Sequence, residues 1–228
     1  MSQQSILLLH GALGSKAQFE SFEQEMSVAF DVHSFTFEGH GGVPSDRPFL
    51  MTHFVENVIE YLDENQLDTI DIFGYSMGGY AALMFAQMHP NRVGRIVTLG
   101  TKFAWNPEFS AAEVRKLNPE KIEGKVPRFA QFLKKVHTPL DWKKVVTDTA
   151  DMMIYLGDER PLDQHLPAIS CPILITLGSL DNMSTEEESK LVAQQLPNGQ
   201  FQLLPEVEHP IEKIDASQLK GVITDFLR

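Results

Sequence analysis

The sequence predicts an α/β fold in which helices cover both faces of a mostly parallel sheet. Short apolar runs bounded by Gly, Pro, Asn or Asp alternate with amphipathic stretches of helix length, which is the pattern of such a sheet. The 228 residues suffice for one domain with a modest insertion. Hydrophobic residues make up 43% of the chain and charged residues 22%, so we expect a packed core rather than a disordered chain.

Six strands are predicted, each from a short apolar run with turn-forming residues at its ends. The first contains the unbroken apolar run 6–9 and is followed by Gly11. The third leads directly into the glycines around Ser76, and the fifth, which follows Pro172, is apolar enough to be a buried strand. The predicted strands span residues 5–10, 30–37, 69–75, 95–102, 171–178 and 200–204.

Five helices are predicted between the strands, at residues 15–27, 52–65, 76–89, 185–196 and 215–228. In the second of them, apolar residues recur at the 3.6-residue period of a helix, namely Phe54, Val55, Val58, Ile59 and Leu62. Glu56, Asn57 and Glu60 fall on the other face. We therefore expect one face of this helix to be buried and the other to face solvent.

The regular alternation stops after Lys102 and resumes at Cys171. Only helix-like patterns lie between, at residues 111–117, 129–136 and 145–156. A structureless loop of that length is implausible in a compact domain, so we predict a helical cap insertion over one end of the sheet. The predicted core then comprises residues 1–103 and 170–228, and the predicted cap comprises residues 104–169.

Bulky apolar residues are frequent in and beside this insertion. They either form its own core or line a pocket beneath it. The residues are Phe103, Trp105, Phe109, Phe129, Phe132, Trp142, Met152, Met153 and Tyr155.

Charge and cysteine content narrow the function classes. Nineteen Lys and Arg against 31 Asp and Glu give a net charge of -12, which disfavours nucleic acid and anionic membranes as partners. The single cysteine, Cys171, cannot form an intramolecular disulfide, and we expect it to be a buried small hydrophobe. The first residues carry no basic segment before an apolar run, and no apolar run approaches the roughly 20 residues of a membrane span. We expect a cytoplasmic protein.

The most informative motif is Gly74-Tyr75-Ser76-Met77-Gly78, a G-x-S-x-G sequence placed between a predicted strand and a predicted helix. A serine on a sharp turn from strand to helix leaves no space for side chains two positions before or after it, which explains both glycines. Ser76 is therefore the candidate nucleophile.

With this motif and two glycine-containing loops, the sequence resembles the α/β-hydrolase superfamily. The loops are His10-Gly11-Ala12-Leu13-Gly14 after the first strand and Gly39-His40-Gly41 after the second. The resemblance spans almost the whole chain. It implies the α/β-hydrolase fold, a serine nucleophile, an acid after a later strand and a histidine near the C-terminus, in that order along the chain.

Asp181 and His209 match the two remaining positions. Asp181 ends the turn after the fifth strand, whereas the competing carboxylates Glu108, Asp158 and Asp163 do not directly follow a strand with this spacing. A role for Asp181 as the cap of the next helix is a weaker explanation, because Ser184 is better placed to cap that helix. His209 lies between the last strand and the last helix. The family commonly has Gly directly before this histidine, whereas this chain has Glu208, a carboxylate that could raise the pKa of the imidazole if it points inward.

The resemblance also assigns roles around the serine. His209 would take the proton of Ser76, and Asp181 would orient and stabilise the imidazole. The oxyanion hole would consist of the backbone N–H groups of Ala12 and Met77, and His10 would have a structural hydrogen-bonding role. Candidate substrate-binding residues are Leu13, Tyr80, Phe103, Trp105, Met152 and Tyr155.

The leading hypothesis is a serine hydrolase that cleaves a carboxylic ester with a small or medium acyl group through an acyl-enzyme. Two alternatives stay open. The first is a lyase or carbon-carbon bond hydrolase of the same fold, because the serine elbow, Gly74-Tyr75-Ser76-Met77-Gly78-Gly79, and the loop at residues 10–15 resemble those of menaquinone-pathway lyases. Tyr80, however, stands where those proteins carry an arginine. The second is a non-catalytic receptor for a small ligand. No metal or cofactor is expected, since neither ligand spacing nor a phosphate-binding loop is present in the sequence.

Overall fold

The structure is a computed structural model that describes residues 3–163 and 165–228. Its sheet has six strands: β1 (Gln4–Leu9), β2 (Phe30–Ser34), β3 (Ile70–Tyr75), β4 (Val93–Leu99), β5 (Ile173–Gly178) and β6 (Gly199–Leu204). The strands lie in the order β2-β1-β3-β4-β5-β6, and each neighbouring pair is parallel. The predicted fold class and all six strands are confirmed.

Nine helices of the described residues surround the sheet. They are α1 (Glu20–Met26), α2 (Met51–Glu64), α3 (Met77–Met88), α4 (Pro107–Val114), α5 (Pro119–Lys125), α6 (Pro127–His137), α7 (Trp142–Glu159), α8 (Glu186–Gln195) and α9 (Ala216–Leu227). Short 3₁₀ turns occupy Lys16–Phe19, Pro90–Arg92, Leu166–Ala168 and Ile211–Lys213. The five predicted helices outside the insertion are confirmed, with ends shifted by a few residues.

Alternation along each strand divides the core into two layers. In β1, Leu7 and Leu9 face the layer that contains α2 and α3, whereas Ile6 and Leu8 face the layer that contains α1 and α9. Successive side chains of a strand point to opposite faces, so a strand that is buried on both faces reads as an unbroken apolar run. The central strands are therefore visible in the sequence as continuous apolar runs.

The second strand is shorter than predicted. The pairing of β2 with β1 ends at Ser34, although the apolar residues continue to Phe37. Phe35 stacks on Tyr61 with 5.1 Å between ring centroids, and Phe37 is fully buried. These aromatic side chains are part of the core, but their backbone is not paired in the sheet. The apolar residues therefore predicted a longer strand than the one that forms.

Four helices, α4 to α7, lie between β4 and β5, where three helical segments were predicted. No helix was predicted at α5, and α4 begins four residues before the predicted segment 111–117. Both helices begin at an Asn-Pro pair: Asn106 accepts a hydrogen bond from the Phe109 N–H (2.8 Å), and Asn118 accepts one from the Lys121 N–H (2.8 Å). A capping Asn followed by Pro at the first helical position is a helix-start signal that is visible in the sequence.

Part of the insertion has a small core of its own, formed by Ile122, Ala130, Leu133, Trp142 and Val146. Other bulky residues of this region differ in how far they are buried. Phe103, Trp105 and Met152 join the main core, whereas Phe129 and Phe132 are stacked on each other and are 39% and 42% exposed. The boundary between core and cap stays a prediction. Among the described residues, no helix combines the length and the apolar character that crossing a bilayer requires.

Candidate active site

The strand order places two loops side by side at the carboxyl edge of the sheet. The chain runs from β1 to β2 in one direction and from β3 to β6 in the other, so the loops after β1 and β3 meet where the order reverses. Ligands of open α/β sheets bind at this switch point, outside the carboxyl ends of the strands. Ala12 follows β1 and Ser76 follows β3, so both lie at this position.

Ser76 sits on the sharp turn that the sequence predicted. Its backbone angles are φ 51° and ψ -115°, which a non-glycine residue rarely adopts. A Cβ atom at Gly78 would lie 2.1 Å from the carbonyl oxygen of Leu9, and one at Gly74 would lie 2.5 Å from the Cα of Gly79. The two glycines are therefore required sterically, and they let α3 pack closely on β1.

Two hydrogen bonds fix the strained serine to the strand beside it. The Ser76 N–H donates to the carbonyl oxygen of Leu99 (2.8 Å), and the Thr101 hydroxyl donates to the carbonyl oxygen of Ser76 (3.0 Å). Both partners lie at or just after the end of β4. The conformation of the turn is thus set by the neighbouring strand as well as by the glycines.

Asp181 and His209 are joined as predicted. The Nδ1–H of His209 donates to Oδ2 of Asp181 (2.7 Å), and in the neutral form of an imidazole with this tautomer Nε2 is an acceptor. Oδ1 of Asp181 accepts from the N–H groups of Met183 (2.7 Å) and Ser184 (3.0 Å). The Asp181 side chain is only 1% exposed, so these donors are what stabilise its charge.

Two residues that the sequence analysis did not assign hold this pair in place. Gly100 has φ +61°, and a Cβ atom there would lie 2.9 Å from Oδ2 of Asp181 and 3.1 Å from Nδ1 of His209. The Tyr75 hydroxyl donates to the carbonyl oxygen of His209 (3.1 Å), and burial raises the pKa of that hydroxyl. The position of Gly100 directly after β4 was a signal in the sequence, whereas nothing in the sequence pointed to Tyr75.

The predicted oxyanion loop approaches the serine closely. A Cβ atom at Gly11 would lie 3.3 Å from the Cβ of Ser76 and 2.8 Å from the Tyr75 ring, so glycine permits the approach. Ala12 is next in sequence and faces the same cavity as Ser76. Met77 is the first residue of α3, where backbone N–H groups have no partner within the helix. Both predicted donors are therefore near the serine.

His10 has the structural role that was expected. Its Nδ1–H donates to the carbonyl oxygen of Gly11 (2.8 Å), and its Nε2 accepts from the Phe37 N–H (3.1 Å). The ring is fully buried, and burial lowers its pKa from 6.5 to about 4. A neutral imidazole thus ties the oxyanion loop to the segment after β2.

Ser76 and His209 share a cavity of about 50 Å³. Five methionine side chains line it: Met51, Met77, Met152, Met153 and Met183. Its other lining residues are Ala12, Tyr80, Gly100, Lys102, Trp105, Phe109 and Leu156. Of the predicted substrate-binding residues, Tyr80, Trp105 and Met152 are therefore in place, together with both predicted oxyanion residues.

Three predicted substrate-binding residues do not line this cavity. Leu13 packs against the main core and the small insertion core, at a turn with φ 59°. Phe103 stacks on Tyr80 with 6.4 Å between ring centroids and lines a neighbouring cavity instead. Tyr155 is 37% exposed, on the same side of α7 as Ile154 (38% exposed), whereas Met152, Met153 and Leu156 line the cavity. The structure therefore does not bring these three residues to the cavity of Ser76 and His209.

The structure also places the other charged and polar residues that were considered for roles near the active site. The competing carboxylates Glu108, Asp158 and Asp163 are exposed and lie outside the cavity. Glu208 pairs with Lys213 (2.5 Å). Helix α8 is capped by Thr185, whose Oγ1 accepts from the Glu188 N–H (3.2 Å), so the assignment of that cap to Ser184 was wrong.

Cys171 is partly buried, and burial raises the pKa of its thiol to about 11. A thiol with a raised pKa is a poor nucleophile, in keeping with the expected packing role. Within residues 3–163 and 165–228, no group of three or more His, Cys, Asp and Glu side chains is arranged to hold a metal ion.

The family model described as alpha/beta hydrolase fold matches residues 4–118, half of the chain. The chain therefore belongs to the alpha/beta hydrolase family, as the two loops and the serine elbow indicated.

Relatives match over almost the whole chain. Identity is 25% to the mouse (Mus musculus) protein named serine hydrolase BPHL, over 99% of this chain and 80% of the relative. It is 21% to a pimeloyl-[acyl-carrier protein] methyl ester esterase of Neisseria meningitidis, over 97% of this chain and 92% of the relative. Identity is 22% to a Bacillus subtilis protein provisionally named 2-succinyl-6-hydroxy-2,4-cyclohexadiene-1-carboxylate synthase, over 99% of this chain and 91% of the relative. The first two relatives support a hydrolase that acts on ester bonds.

Solved structures agree with the fold. The crystal structure of the enol-lactonase from Burkholderia xenovorans LB400 has a TM-score of 0.80 at 17% identity and covers 100% of this chain and 92% of its own. A thermophilic esterase from Thermogutta terrifontis has a TM-score of 0.79 at 22% identity, with coverage of 100% and 90%. At these identities the likeness shows the α/β-hydrolase fold.

Proposed function

We propose that this chain is a serine hydrolase that cleaves carboxylic esters with a small or medium acyl group. The observation that carries the proposal is the 2.7 Å hydrogen bond between His209 and Asp181 beside a cavity that His209 shares with Ser76 on its strained turn. A serine hydroxyl becomes a useful nucleophile only when a positioned base can take its proton. His209, which lines the same cavity as Ser76, is our candidate for that base.

In the first step, Nε2 of His209 takes the proton from Ser76 Oγ as the oxygen attacks the ester carbonyl carbon. Asp181 keeps the other ring nitrogen protonated and stabilises the imidazolium that forms. Collapse of the tetrahedral intermediate breaks the acyl C–O bond, and His209 gives its proton to the departing alcohol. The acyl group is then esterified to Ser76.

In the second step, a water molecule replaces the alcohol. His209 takes a proton from the water as it attacks the acyl carbon, and returns a proton to Ser76 Oγ when the acid is released. Each tetrahedral intermediate carries an oxyanion, which the N–H groups of Ala12 and Met77 would stabilise. Loss of one such donor typically lowers kcat by about 10²- to 10³-fold in enzymes of this type.

The cavity supports a small or medium acyl group. It encloses about 50 Å³ and is lined mainly by apolar side chains, five of them methionines. Methionine is unbranched and adapts its shape to irregular spaces. A short acyl chain fits with modest side-chain movement, and longer chains require progressively more.

We also propose the cap insertion, residues 104–169, as the part of the chain that closes the site. Five lining residues come from it: Trp105, Phe109, Met152, Met153 and Leu156. The other lining residues, Ser76 and His209 among them, come from the core residues 1–103 and 170–228. Exclusion of water by such a cover strengthens the hydrogen bonds to the oxyanion.

A second candidate is a lyase or carbon-carbon bond hydrolase that uses the same base. The similarity to the provisionally named Bacillus subtilis synthase over 99% of this chain favours it. Tyr80 weighs against it, because its hydroxyl contacts the Leu162 N–H (3.4 Å) and it brings no positive charge to the cavity.

The test is hydrolysis of p-nitrophenyl esters from acetate to decanoate by the wild type, Ser76→Ala and the matched control Ser27→Ala, whose serine is exposed on the surface. We expect a maximum at a short acyl length in the wild type and in Ser27→Ala, and at least a 10³-fold lower rate in Ser76→Ala. Full activity in Ser76→Ala would overturn the proposal. Negligible hydrolysis by a folded wild type would favour the lyase or carbon-carbon reaction.

A further inference from the structure

A lysine lies in the wall of the active-site cavity. Lys102 comes three residues after the end of β4 and lines the cavity together with Ser76 and His209. The other titratable side chains of the described lining are His209 and Tyr80. Lys102 therefore brings a positive charge to a space that is otherwise mostly apolar, in a chain whose net charge is -12.

The ammonium group of Lys102 is only partly used by the protein. Its Nζ donates to Oε2 of Glu188 (2.5 Å) and lies 4.0 Å from the centroid of the Phe109 ring, and the side chain is 13% exposed. An ammonium has three donors, and Glu188 is the one hydrogen-bond acceptor that the described residues provide for it. Two of its N–H donors thus have no hydrogen-bond acceptor among the described residues, and the Phe109 ring lies against one side of the ammonium.

Glu188 does not depend on Lys102 alone. Its Oε1 accepts from the N–H groups of Phe103 (3.0 Å) and Ala104 (3.4 Å), and the Thr185 hydroxyl contacts its Oε2 (3.1 Å). These donors also stabilise the Glu188 carboxylate, so its stabilisation does not rest on the Lys102 ammonium alone. Glu188 thereby fixes the loop after β4 to α8 and sets the position of the ammonium group.

We propose that Lys102 binds a carboxylate group of the substrate, so that the preferred substrates are monoesters of short dicarboxylic acids. The proposal rests on the proposed ester hydrolysis and names its substrate class. A carboxylate buried among methionine and aromatic side chains is costly without a partner, and an ammonium beside it supplies a charge-assisted hydrogen bond. One ammonium with two open donors suits a monoanion, and the 50 Å³ cavity suits a short chain. The chemistry is unchanged: water cleaves the acyl C–O bond, the alcohol leaves and the dicarboxylic acid is released.

The experiment compares kcat/KM for monomethyl esters of malonate, succinate, glutarate and adipate with kcat/KM for methyl esters of monocarboxylic acids of matched length. We expect the wild type to prefer the carboxylate-bearing ester at least tenfold for one or more lengths. Lys102→Met should reduce that preference at least tenfold, mainly through a higher KM, and Lys102→Arg should retain part of it. Lys116→Met is the matched control, because Lys116 pairs with Glu113 (2.6 Å) outside the cavity lining.

A second variant guards against misfolding of Lys102→Met, which leaves Glu188 without its cationic partner. Glu188→Gln removes the competing negative charge and keeps Lys102, so its preference for the carboxylate should stay or rise. The proposal is overturned if the wild type cleaves neutral esters equally well at every length, or if a folded Lys102→Met keeps the preference. If neither class of ester is cleaved, ester hydrolysis itself fails and this proposal falls with it.

Discussion

Gly100 provides a sharp test of how the histidine and the aspartate are held. In Gly100→Ala the new Cβ would lie 2.9 Å from Oδ2 of Asp181, 3.1 Å from Nδ1 of His209 and 3.2 Å from its Cε1. These separations are shorter than ordinary van der Waals contact, so the imidazole and the carboxylate must move by a few tenths of an ångström. The φ of +61° adds about 1 kcal/mol of backbone strain for a residue with a Cβ.

The expected effect is larger on catalysis than on folding. Strain and overlap together should lower the free energy of unfolding by about 1–3 kcal/mol, which for a chain of this size corresponds to a fall in Tm of about 2–4 °C per kcal/mol. A displacement approaching 1 Å at the reacting groups costs about 10²-fold in rate, so we expect kcat for a p-nitrophenyl ester to fall between tenfold and 100-fold.

The assay is steady-state kinetics with a short p-nitrophenyl ester beside thermal unfolding followed by circular dichroism. Gly124→Ala is the matched control, because nothing lies within 4 Å of a Cβ there and the residue is inside α5. Alanine at that helical position should leave kcat unchanged and raise stability by up to about 1 kcal/mol. A Gly100→Ala enzyme with wild-type kcat would refute the reasoning that the pair is confined at this point.

Two further predictions follow from buried polar groups. Because burial lowers the pKa of His10 from 6.5 to about 4, the unfolded chain binds more protons between these pH values, and stability should fall as pH drops from 6.5 towards 4 by up to about 3 kcal/mol. Urea unfolding at pH 7 and pH 4.5 measures this, and the pH dependence should be weaker in His10→Gln; equal dependence in both proteins would contradict the assignment. Tyr75→Phe removes the hydrogen bond to the His209 carbonyl (3.1 Å) and should cost about 1 kcal/mol of stability with a several-fold lower kcat. Tyr155→Phe, at an exposed position, is its control, and matching losses in the two variants would show that the buried bond contributes nothing.

The sheet and the serine elbow could be predicted because local sequence determines them. Strands buried on both faces need continuous apolar runs, and the turn at Ser76 needs glycine at Gly74 and Gly78. Asp181 and His209 were located by their position after β5 and β6, and the structure brings their side chains within hydrogen-bond distance. These features depend on a few residues close together in the chain.

The lining of the cavity could not be predicted because it depends on how distant segments pack. Helix α7 carries apolar side chains at several neighbouring positions, and the sequence did not reveal that Met152 and Met153 face the serine while Tyr155 faces solvent. The contact between Lys102 and Glu188 joins residues on β4's loop and α8 that are far apart in the chain. The missed helix α5 is different, since its Asn-Pro start was visible in the sequence.

Ester hydrolysis by this chain depends on the activation of Ser76 by His209. The most direct measurement is the mass of the protein and of its peptides after reaction with a fluorophosphonate, for the wild type, Ser76→Ala and His209→Ala. We predict one adduct on the peptide that contains Ser76 in the wild type, none in Ser76→Ala and much slower labelling in His209→Ala. A folded wild type that stays unlabelled, or an adduct on another serine, would show that His209 does not activate Ser76.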